Sequence, residues 1–479
     1  GNMYDIIIVG GGVIGCSVAR TLSKYDKKIA LIEKNYEICQ ETTKANSAIV
    51  HGGYDCKPGT LKAKMNVRGN AMYPELSKEL DFTFNKIGSL VLAFSQEEMK
   101  TIEELYQRGL TNGARDLEII DAKRVKEIEP KVSDEVVGAL YCGSAGVVDP
   151  FNLTYAMMEN AIDNGVELFT ETELIGLEKN SEGILVKTNK GDYQAKYVIN
   201  AAGLYSDKVA NMGGDFDFNI IPTKGVYRLF DKKKGDNLNT VLFQTPTERG
   251  KGVLVTATYD GNTMIGPTSD KIGTVEDTTT EAESLAVIDR LGKLSVPSLN
   301  PKNTIRVFTG VRAKPDTGDF MIYASKNMEG LVHCGGIESP GLVSAPAIAE
   351  YVEEILIDNG MDTKKKSNYN PKRKGIVRIS ELTNEEKAVK IKENPAYGKI
   401  ICRCETVSEG EIIEAIRRNA GAKTVDGVKR RVRAGMGRCQ GGFCGPRVIE
   451  ILARELNIDP TEVRKDLSGS KIVERHLKK

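Results

Sequence analysis

The chain has 479 residues, of which 40% are hydrophobic and 28% are charged, and its formal net charge is +1. This composition is typical of a globular protein of two or three domains, and it gives no reason to expect a nucleic acid or an anionic membrane as a partner. No apolar run approaches the roughly 20 residues that a transmembrane helix needs. Nine scattered cysteines, an odd number, argue against a secreted disulfide framework and favour a reducing cytoplasm.

The chain opens with the pattern of a βαβ unit. A buried strand, a helix and a second buried strand are predicted over residues 4–9, 14–25 and 29–33. After a mixed region, a helix is predicted over 153–164 and strands at 166–169, 185–188 and 197–200. From 221 to 323 the pattern changes to alternating strands, which predicts an antiparallel sheet inserted into the α/β domain. A strand at 331–334, a glycine-rich turn and a helix over 343–357 follow.

The last quarter of the chain differs in composition. Lys364 to Lys366 and residues 371–375 form a basic, polar linker, and Thr383 to Glu386 resembles a capping box that opens a short helix. A cysteine-rich module spans about 398–456, and the basic tail after Lys465 is expected to be solvated.

A glycine-rich turn lies directly between the first predicted strand and helix. It fits the pattern G-x-G-x-x-G with Gly10, Gly12, Val13, Ile14 and Gly15. The missing side chains let backbone N–H groups approach a pyrophosphate at the start of the helix. Glu33 ends the second strand, where a carboxylate accepts hydrogen bonds from ribose hydroxyls and disfavours NADP. A turn without a ligand is the alternative, but strand, turn, helix and acid together predict a bound dinucleotide, with FAD and NAD both open.

Five further stretches bear on that choice, namely residues 42–47, 49–53, 197–203, 310–312 and 335–341. In this order they resemble the D-amino-acid-oxidase-like FAD-dependent oxidoreductases, over roughly the first 360 residues. The resemblance implies FAD, with the last glycine-rich turn presenting a helix N-terminus to the flavin. The reduced flavin is negatively charged, and the helix N-terminus carries partial positive charge that stabilises it. Beyond the first turn and Glu33, it implies contacts to FAD from Lys34, Thr42, Thr43, Asn46, Ser47, Leu174, Ala201, Ala202, Gly203, Gly310, Gly336, Ile337, Gly341 and Leu342.

Oxidation of a carbinol or an amine by hydride transfer needs a base that removes a proton from oxygen or nitrogen. The chain has three histidines, and His476 lies in the tail. His51 and His333 each lie in a stretch that the resemblance places beside the flavin. We predict one of them as the base and prefer His51. A structural hydrogen-bonding histidine and a covalent attachment point for the flavin are the alternatives.

Arg312 is the predicted anchor for an anionic substrate. A guanidinium offers a bidentate fork to a carboxylate or a phosphate, and the resembling enzymes use an arginine in this Gly-x-Arg position. Lys251 and Tyr227, on the presumed substrate sheet, are secondary candidates for substrate binding. For these two residues a solvated strand face is the alternative.

The C-terminal module contains four cysteines in two close pairs, Cys402 with Cys404 and, after 34 residues, Cys439 with Cys444. Such a set holds either a [2Fe-2S] cluster or tetrahedral zinc, and unligated or disulfide-paired cysteines are the third possibility. The stretch resembles the bacterioferritin-associated-ferredoxin-like [2Fe-2S] domain, so we predict the cluster, with zinc as the alternative. Five cations near the cysteines favour its negative charge: Lys429, Arg430, Arg431, Arg433 and Arg438.

The predicted fold is an α/β Rossmann-type FAD-binding domain with an inserted antiparallel-sheet substrate domain, plus a small, mainly helical C-terminal cysteine domain. The expected regions are an oxidoreductase domain over 1–360, a linker over 361–397, a [2Fe-2S]-binding domain over 398–465 and a tail over 466–479. Within the first, we assign about 1–80, 142–215 and 329–360 to FAD binding, and about 81–141 and 216–328 to the substrate domain.

This domain order resembles the large subunits of anaerobic glycerol-3-phosphate dehydrogenases. It implies oxidation of sn-glycerol 3-phosphate to dihydroxyacetone phosphate, with electrons passing one at a time to an acceptor protein or flavoprotein subunit. We expect a cytoplasmic protein, with attachment to a membrane only through a partner subunit.

Two departures keep other substrates open. Tyr54-Asp55 stands where enzymes of this substrate often carry an arginine, and residues 58–63 look more like the L-2-hydroxyglutarate oxidases. A 2-hydroxydicarboxylate held by Arg312 is therefore the second hypothesis, and an amine or opine is the third. In a different class, the protein would be an electron relay without a small-molecule substrate.

Overall fold

The structure, a computed structural model, describes residues 2–40, 46–232, 237–246, 252–268, 274–275 and 280–466. Its strands are β1 (Met3–Val9), β2 (Ile29–Ile32), β3 (Ile49–Val50), β4 (Phe84–Asn85), β5 (Ser89–Ala93), β6 (Leu117–Asp121), β7 (Gly138–Cys142), β8 (Gly146–Val148), β9 (Glu167–Phe169), β10 (Leu174–Asn180), β11 (Gly183–Thr188), β12 (Gly191–Asn200), β13 (Ile220–Phe230), β14 (Val241–Gln244), β15 (Val253–Ala257), β16 (Thr263–Pro267), β17 (Thr274–Val275), β18 (Thr304–Pro315), β19 (Met321–Ala324), β20 (Leu331–Gly335), β21 (Ile400–Cys402) and β22 (Val407–Ser408). Its helices are α1 (Val13–Leu22), α2 (Leu61–Leu80), α3 (Gln96–Asn112), α4 (Ala122–Ile128), α5 (Pro150–Asp163), α6 (Ser206–Met212), α7 (Glu281–Ser295), α8 (Gly341–Asp358), α9 (Asn384–Glu393), α10 (Glu409–Arg417), α11 (Val425–Val432) and α12 (Gly445–Leu456).

In the described part of the chain, eight strands form a sheet centred on β1. β1 runs parallel to β2 and β12, and β9 and β20 extend this parallel core on either side. Side chains alternate along β1, so Ile6 and Ile8 join one buried cluster while Ile7 and Val9 join another. Burial on both faces explains why β1 is a continuous apolar run rather than an alternating one.

Helices α1, α5 and α8 cover the face of this sheet that carries Ile6 and Ile8. The helix predicted over 14–25 is shorter than expected and ends at Leu22. A tertiary contact explains the early end, because Tyr25 forms an antiparallel bridge with Lys365 of the C-terminal segment and is therefore not helical.

Nine described strands form the second sheet, in the order β17-β13-β16-β15-β14-β5-β7-β6 with β18 beside β13. Most of its pairs are antiparallel, as predicted, but β14 runs parallel to β5. These two strands come from the two separate inserted segments, so no hairpin fixes their relative direction. A small sheet of β3, β8 and β4 lies between the two large ones, since Ile49 and Val147 pack with Val241 and Leu254.

The C-terminal module has its own core. Helices α10, α11 and α12 and the β21–β22 hairpin enclose Val407, Ile412, Val428 and Leu452, each with no exposed surface. Helix α10 begins with a buried capping box between Ser408 and Glu411. The predicted fold class, with a mainly helical cysteine domain, is confirmed.

The segment predicted as a linker follows the surface of the first domain. Arg373 is 7% exposed, and its guanidinium pairs with Glu159 of α5 over 3.1 Å. Asn160, also on α5, donates to the carbonyl of Asn370 over 3.0 Å. Thr383 caps α9 in the predicted capping box with Glu386.

Among the described helices, none combines the length and the apolar run that a bilayer crossing requires.

Candidate active site

The turn between β1 and α1 is so tight that only glycine fits at two of its positions. Gly10 has a φ of +113°, and a Cβ there would lie 2.1 Å from the carbonyl oxygen of Ala201. A Cβ on Gly15 would lie 1.8 Å from the carbonyl oxygen of Gly10. Gly12, the N-cap residue of α1, brings no side chain to the first turn. The positive end of the α1 dipole therefore faces the adjoining cavity, which Gly12, Val13 and Ile14 line.

Glu33 lies beside this turn at the end of β2. Its carboxylate is 7% exposed and accepts hydrogen bonds from the N–H groups of Gly11, over 3.0 Å, and Asn35, over 2.7 Å. The Lys34 ammonium lies 3.2 Å from the ring centroid of Tyr205. Leu174 lies at the start of β10, where it is buried in the same cluster as Val9.

A cavity of about 730 Å³ extends from the turn into the second sheet. This volume lies in the range of sites for cofactors and small ligands, about 300–1,000 Å³. The predicted cofactor residues among its lining, besides those of the turn, are Asn46, Ser47, Ala201, Gly203, Gly310, Ile337, Gly341 and Leu342. Both large sheets contribute to the cavity, so a cofactor and a substrate bound there would be in contact.

Helix α8 begins at this cavity. Its first residue, Gly341, lines the cavity together with Leu342. The preceding turn is held against β18, since a Cβ on Gly336, whose φ is +63°, would lie 2.7 Å from the Cβ of Pro315. The dipole of this 18-residue helix therefore presents its positive end to the cavity.

His51 lines the middle of the cavity, next to β3. Its ring stacks on Phe243 with 5.7 Å between ring centroids. The His51 carbonyl accepts hydrogen bonds from the side-chain amides of Asn66, over 2.9 Å, and Asn70, over 3.0 Å. Two asparagines of α2 thus hold the backbone, and an aromatic ring of β14 orients the imidazole.

Arg312 reaches the cavity from β18. One terminal nitrogen donates to the Thr268 carbonyl over 2.5 Å, and the other donates to the Tyr227 hydroxyl over 3.0 Å and the Pro267 carbonyl over 3.2 Å. None of these partners is charged, so the guanidinium keeps its full positive charge for an anion. Tyr227 is 3% exposed and lies flat against Phe308, with 5.0 Å between the ring centroids.

The cavity contains other charged groups that motif analysis missed. Lys62 pairs with Glu338 over 3.2 Å across the cavity wall, and Lys57 and Lys314 are exposed cations at its edge. Asp319 accepts hydrogen bonds from the first N–H groups of α2, at Leu61 and Lys62. No local pattern marks Phe243, Asn66 or Asn70 as partners of His51, because each contact is made by tertiary folding.

His333 lies elsewhere. Strand alternation puts Cys334 of β20 in the cavity wall and His333 on the opposite face, with no exposed surface. The Asn200 amide contacts Nδ1 over 3.0 Å as its donor, so Nε2 carries the proton and donates to Asp215 over 2.7 Å. Both ring nitrogens are engaged inside the protein. This position does not suit the predicted role as a base, and His51 is left as the histidine at the cavity.

Three predicted site residues, Thr42, Thr43 and Lys251, lie outside the described residues. The remaining predicted cofactor residue, Ala202, packs at the edge of the cluster that contains Val9.

The four cysteines of the module come together as two pairs. The Cys444 thiol donates to Cys402, and this bond, with the N–H groups of Gly435 and Glu405, lowers the pKa of Cys402 below its ordinary value. Cys404 contacts Cys439, whose sulfur accepts from the N–H groups of Phe443 and Gly441. In the described regions, no group of three or more His, Cys, Asp or Glu side chains is placed so that it could hold a metal ion. Paired sulfurs that accept backbone hydrogen bonds suit thiolate ligands.

The module is fixed to the first domain through Glu37. The Glu37 carboxylate is 2% exposed and accepts from the Thr424 N–H over 3.0 Å and the Thr424 hydroxyl over 2.9 Å, at the start of α11. On the same helix, the Arg431 guanidinium lies 3.8 Å from the ring centroid of Tyr155.

A glycine turn on a parallel sheet, a cavity roofed by a second sheet and a four-cysteine domain together define a dinucleotide-binding oxidoreductase with a separate cysteine module. Residues 5–355 match the family "FAD dependent oxidoreductase", and residues 400–454 match the "BFD-like [2Fe-2S] binding domain". The chain belongs to the family of FAD-dependent oxidoreductases and carries a BFD-like [2Fe-2S] binding domain. The resemblances of the first 360 residues to FAD-dependent oxidoreductases and of the C-terminal stretch to the [2Fe-2S] domain are confirmed.

Individual relatives agree with this assignment. A glycerol 3-phosphate dehydrogenase from Caloramator mitchellensis is 50% identical over 471 residues, which are 98% of this chain and 98% of that protein. The solved structure of dithionite-reduced L-alpha-glycerophosphate oxidase from Mycoplasma pneumoniae with FAD bound has a TM-score of 0.72 and 34% identity, and covers 77% of this chain and 98% of that chain. A mitochondrial L-2-hydroxyglutarate dehydrogenase from Caenorhabditis briggsae is 35% identical over 275 residues, 55% of this chain and 63% of that protein.

Proposed function

We propose that this chain is an FAD-dependent dehydrogenase that oxidises sn-glycerol 3-phosphate at C2 to dihydroxyacetone phosphate. The observation that carries the proposal is the single cavity that joins the dinucleotide turn, His51 and Arg312. Full-length similarity to a glycerol 3-phosphate dehydrogenase, at 50% identity, supports this choice of substrate.

The cavity suits a small anion next to a cofactor. Arg312 binds the substrate phosphate with its guanidinium fork, and the Tyr227 hydroxyl fixes the direction of that fork. Lys57 and Lys314 add positive charge at the edge of the cavity, which attracts a dianion. The acids of the lining are already engaged, Glu338 with Lys62, Asp319 with the start of α2 and Asp55 with Arg108.

Oxidation of the alcohol removes a hydride from C2 and a proton from its hydroxyl. FAD, when bound, supplies the hydride acceptor. His51 takes the hydroxyl proton on its imidazole, which Phe243 and the asparagine-held backbone keep in one orientation. The α1 and α8 N-termini would hold the cofactor's diphosphate and its electron-rich ring, respectively.

The four cysteines would hold a [2Fe-2S] cluster. Each iron of such a cluster takes two thiolates, and the pairs Cys402 with Cys444 and Cys404 with Cys439 suit two irons better than one tetrahedral zinc ion. Such a cluster would pass electrons singly, whereas the alcohol releases two, so the module favours a dehydrogenase that delivers electrons to an acceptor protein.

The second candidate is L-2-hydroxyglutarate, favoured by residues 58–63 and by the similarity to L-2-hydroxyglutarate dehydrogenase. Anaerobic titration of the holoenzyme separates the candidates. We expect sn-glycerol 3-phosphate to bleach the flavin absorbance and L-2-hydroxyglutarate and amino acids to leave it unchanged. Bleaching by L-2-hydroxyglutarate alone would show that this acid, and not sn-glycerol 3-phosphate, is the substrate. A flavin that no small molecule bleaches, but a reduced carrier protein does, would make the chain an electron relay.

A further inference from the structure

An aromatic side chain next to the cysteines of the module is exposed to solvent. Phe443, directly before Cys444, is 87% exposed, more than any other large hydrophobic side chain of the described residues. Cys404 is exposed as well, while Cys402 and Cys444 are buried. An aromatic ring held in water costs free energy, and it lies in the loop that would bring a cluster nearest to the surface.

Cationic side chains lie next to these cysteines, and the contact between Cys404 and Cys439 brings the two cysteine segments together. Arg403 lies between two cysteines, Arg438 directly precedes Cys439, and Arg447 lies in the first turn of α12. All three are exposed, and none makes an ion pair within the described parts of the chain. We call Arg403, Cys404, Arg438, Phe443 and Arg447 the acceptor face.

The other arginines of the module differ from these three. Arg431 donates to backbone carbonyls, and each of the others pairs with a carboxylate. These carboxylate-paired arginines are Arg417, Arg418, Arg430, Arg433, Arg454 and Arg464. The nearby carboxylate of Glu405 is engaged by Arg433 and Lys232, and Glu450 on α12 makes no ion pair with Arg447. The chain as a whole has a net charge of +1, so this local positive field is not a property of the entire surface.

We propose that the acceptor face docks a small acidic protein that carries one electron. Phe443 is the apolar centre of the contact, and the arginines steer carboxylates of the carrier toward it. Weak, fast contacts of this kind are typical of electron-transfer partners, whose interfaces are small. A [2Fe-2S] centre held by the four cysteines would give the carrier one electron in each encounter, with no proton or group transferred. Two carriers are therefore reduced for each alcohol oxidised. The docking proposal depends on the proposed function only for the source of the electrons.

The test uses reconstituted holoenzyme with two carriers of opposite charge, acidic cytochrome b5 and basic cytochrome c. Binding is measured by isothermal titration calorimetry at low and high salt. Electron transfer is measured by stopped flow after the holoenzyme has been reduced with dithionite and the excess removed, so that no substrate is involved. The variants are R403E/R438E/R447E and F443S, and the matched control is K100E/K123E/R290E, which reverses three exposed charges on helices of the first domain.

For the wild type and the control we expect cytochrome b5 to bind, with an affinity that falls as salt rises. The triple reversal should weaken this binding and slow the transfer by on the order of tenfold or more, and F443S should weaken binding at all salt concentrations. Flavin and cluster absorbance verify that each variant is loaded. Unchanged binding in the triple reversal, an equal loss in the control, or a wild type that prefers cytochrome c would overturn the proposal. If sn-glycerol 3-phosphate fails to reduce the enzyme while this charge dependence persists, the proposed substrate is wrong and the acceptor face stands.

Discussion

Arg433 of the cysteine module donates a hydrogen bond over 2.9 Å to the hydroxyl of Tyr259, in the turn between β15 and β16 of the second sheet. The same guanidinium pairs with Asp260 and, over 3.2 Å, with Glu405, which follows Cys404 in the chain. Tyr259 in turn packs against the cluster of Ile49, which lines the cavity. This contact therefore lies between the cysteine centre and the proposed flavin site and sets their relative position.

Replacement of Arg433 by alanine should be strongly destabilising. The side chain is 9% exposed, and its removal leaves the largely buried carboxylates of Asp260 and Glu405 with only the partly exposed Lys232 as a partner. Breaking a buried ion pair from one side costs about 3–5 kcal/mol. Urea unfolding followed by circular dichroism measures this loss.

The matched control is Arg454→Ala, because Arg454 also pairs with carboxylates but its side chain is 55% exposed. An exposed pair contributes about 1 kcal/mol or less. Equal losses in the two variants would contradict the structural role assigned to Arg433.

Arg312→Ala should raise KM for sn-glycerol 3-phosphate with little change in kcat. Loss of a charged hydrogen-bond donor costs about 1.5–3 kcal/mol, which corresponds to an increase in KM of roughly 10- to 100-fold. Arg312→Lys should lie between, since it keeps the charge and loses the fork. Arg306→Ala is the control on the same strand, exposed and outside the cavity. A normal KM in Arg312→Ala would remove Arg312 from the phosphate site.

His51→Ala should lower kcat and leave KM nearly unchanged. Loss of a positioned base reduces the rate of the chemical step by about 10²- to 10⁴-fold. Stopped-flow bleaching of the flavin by substrate measures that step directly. Phe243→Leu keeps the imidazole and removes its stacking partner, so a smaller decrease is expected. A His51→Ala enzyme that bleaches at the wild-type rate would show that another group takes the proton.

Local sequence was sufficient for the dinucleotide turn and the cysteine set. Gly10, Gly15 and Glu33 come together within one short βαβ unit. Tight backbone packing there restricts which residue types are possible at fixed spacing, and this pattern can be seen in the sequence. The same holds for Thr383 and Glu386, whose capping box needs only one helical turn.

Contacts between segments that are distant in the chain produce no such local sequence pattern. Nothing near Phe243 indicates that it stacks on His51, and nothing near Arg373 indicates that it is buried against Glu159. His333 shows the limit most clearly. Because strand side chains alternate, one position decides whether His333 or Cys334 faces the cavity, and both choices keep β20 buried.

The His333 contact should make stability depend on pH. Burial is the main reason why the pKa of His333 lies below the ordinary value of 6.5, despite the hydrogen bond to Asp215. Below about pH 6.5 the unfolded chain binds a proton that the folded chain resists, so the free energy of unfolding falls as pH decreases. One such proton gives a slope of up to about 1.4 kcal/mol per pH unit. Asp215, whose pKa is lowered, remains ionised in this window.

Urea unfolding of the wild type and His333→Gln between about pH 7.5 and 5.5 tests this. Other histidines contribute equally to both proteins, so the difference between the two slopes reports His333. We expect the shallower slope in His333→Gln. Identical slopes would mean that His333 binds its proton equally well in the folded and unfolded chain.

Cys402→Ser and Cys439→Ser, one from each sulfur pair, should both lose the cluster and keep the flavin. Iron, sulfide and the visible absorbance of the cluster are expected to disappear, because in each variant one iron loses one of its two thiolates. Substrate should still bleach the flavin, since the cavity lies in another domain, but delivery of electrons to cytochrome b5 should stop. Cys142→Ser is the control, a buried cysteine outside the module. Zinc without iron in the wild-type protein, or delivery at a normal rate by either variant, would contradict an exit through this centre.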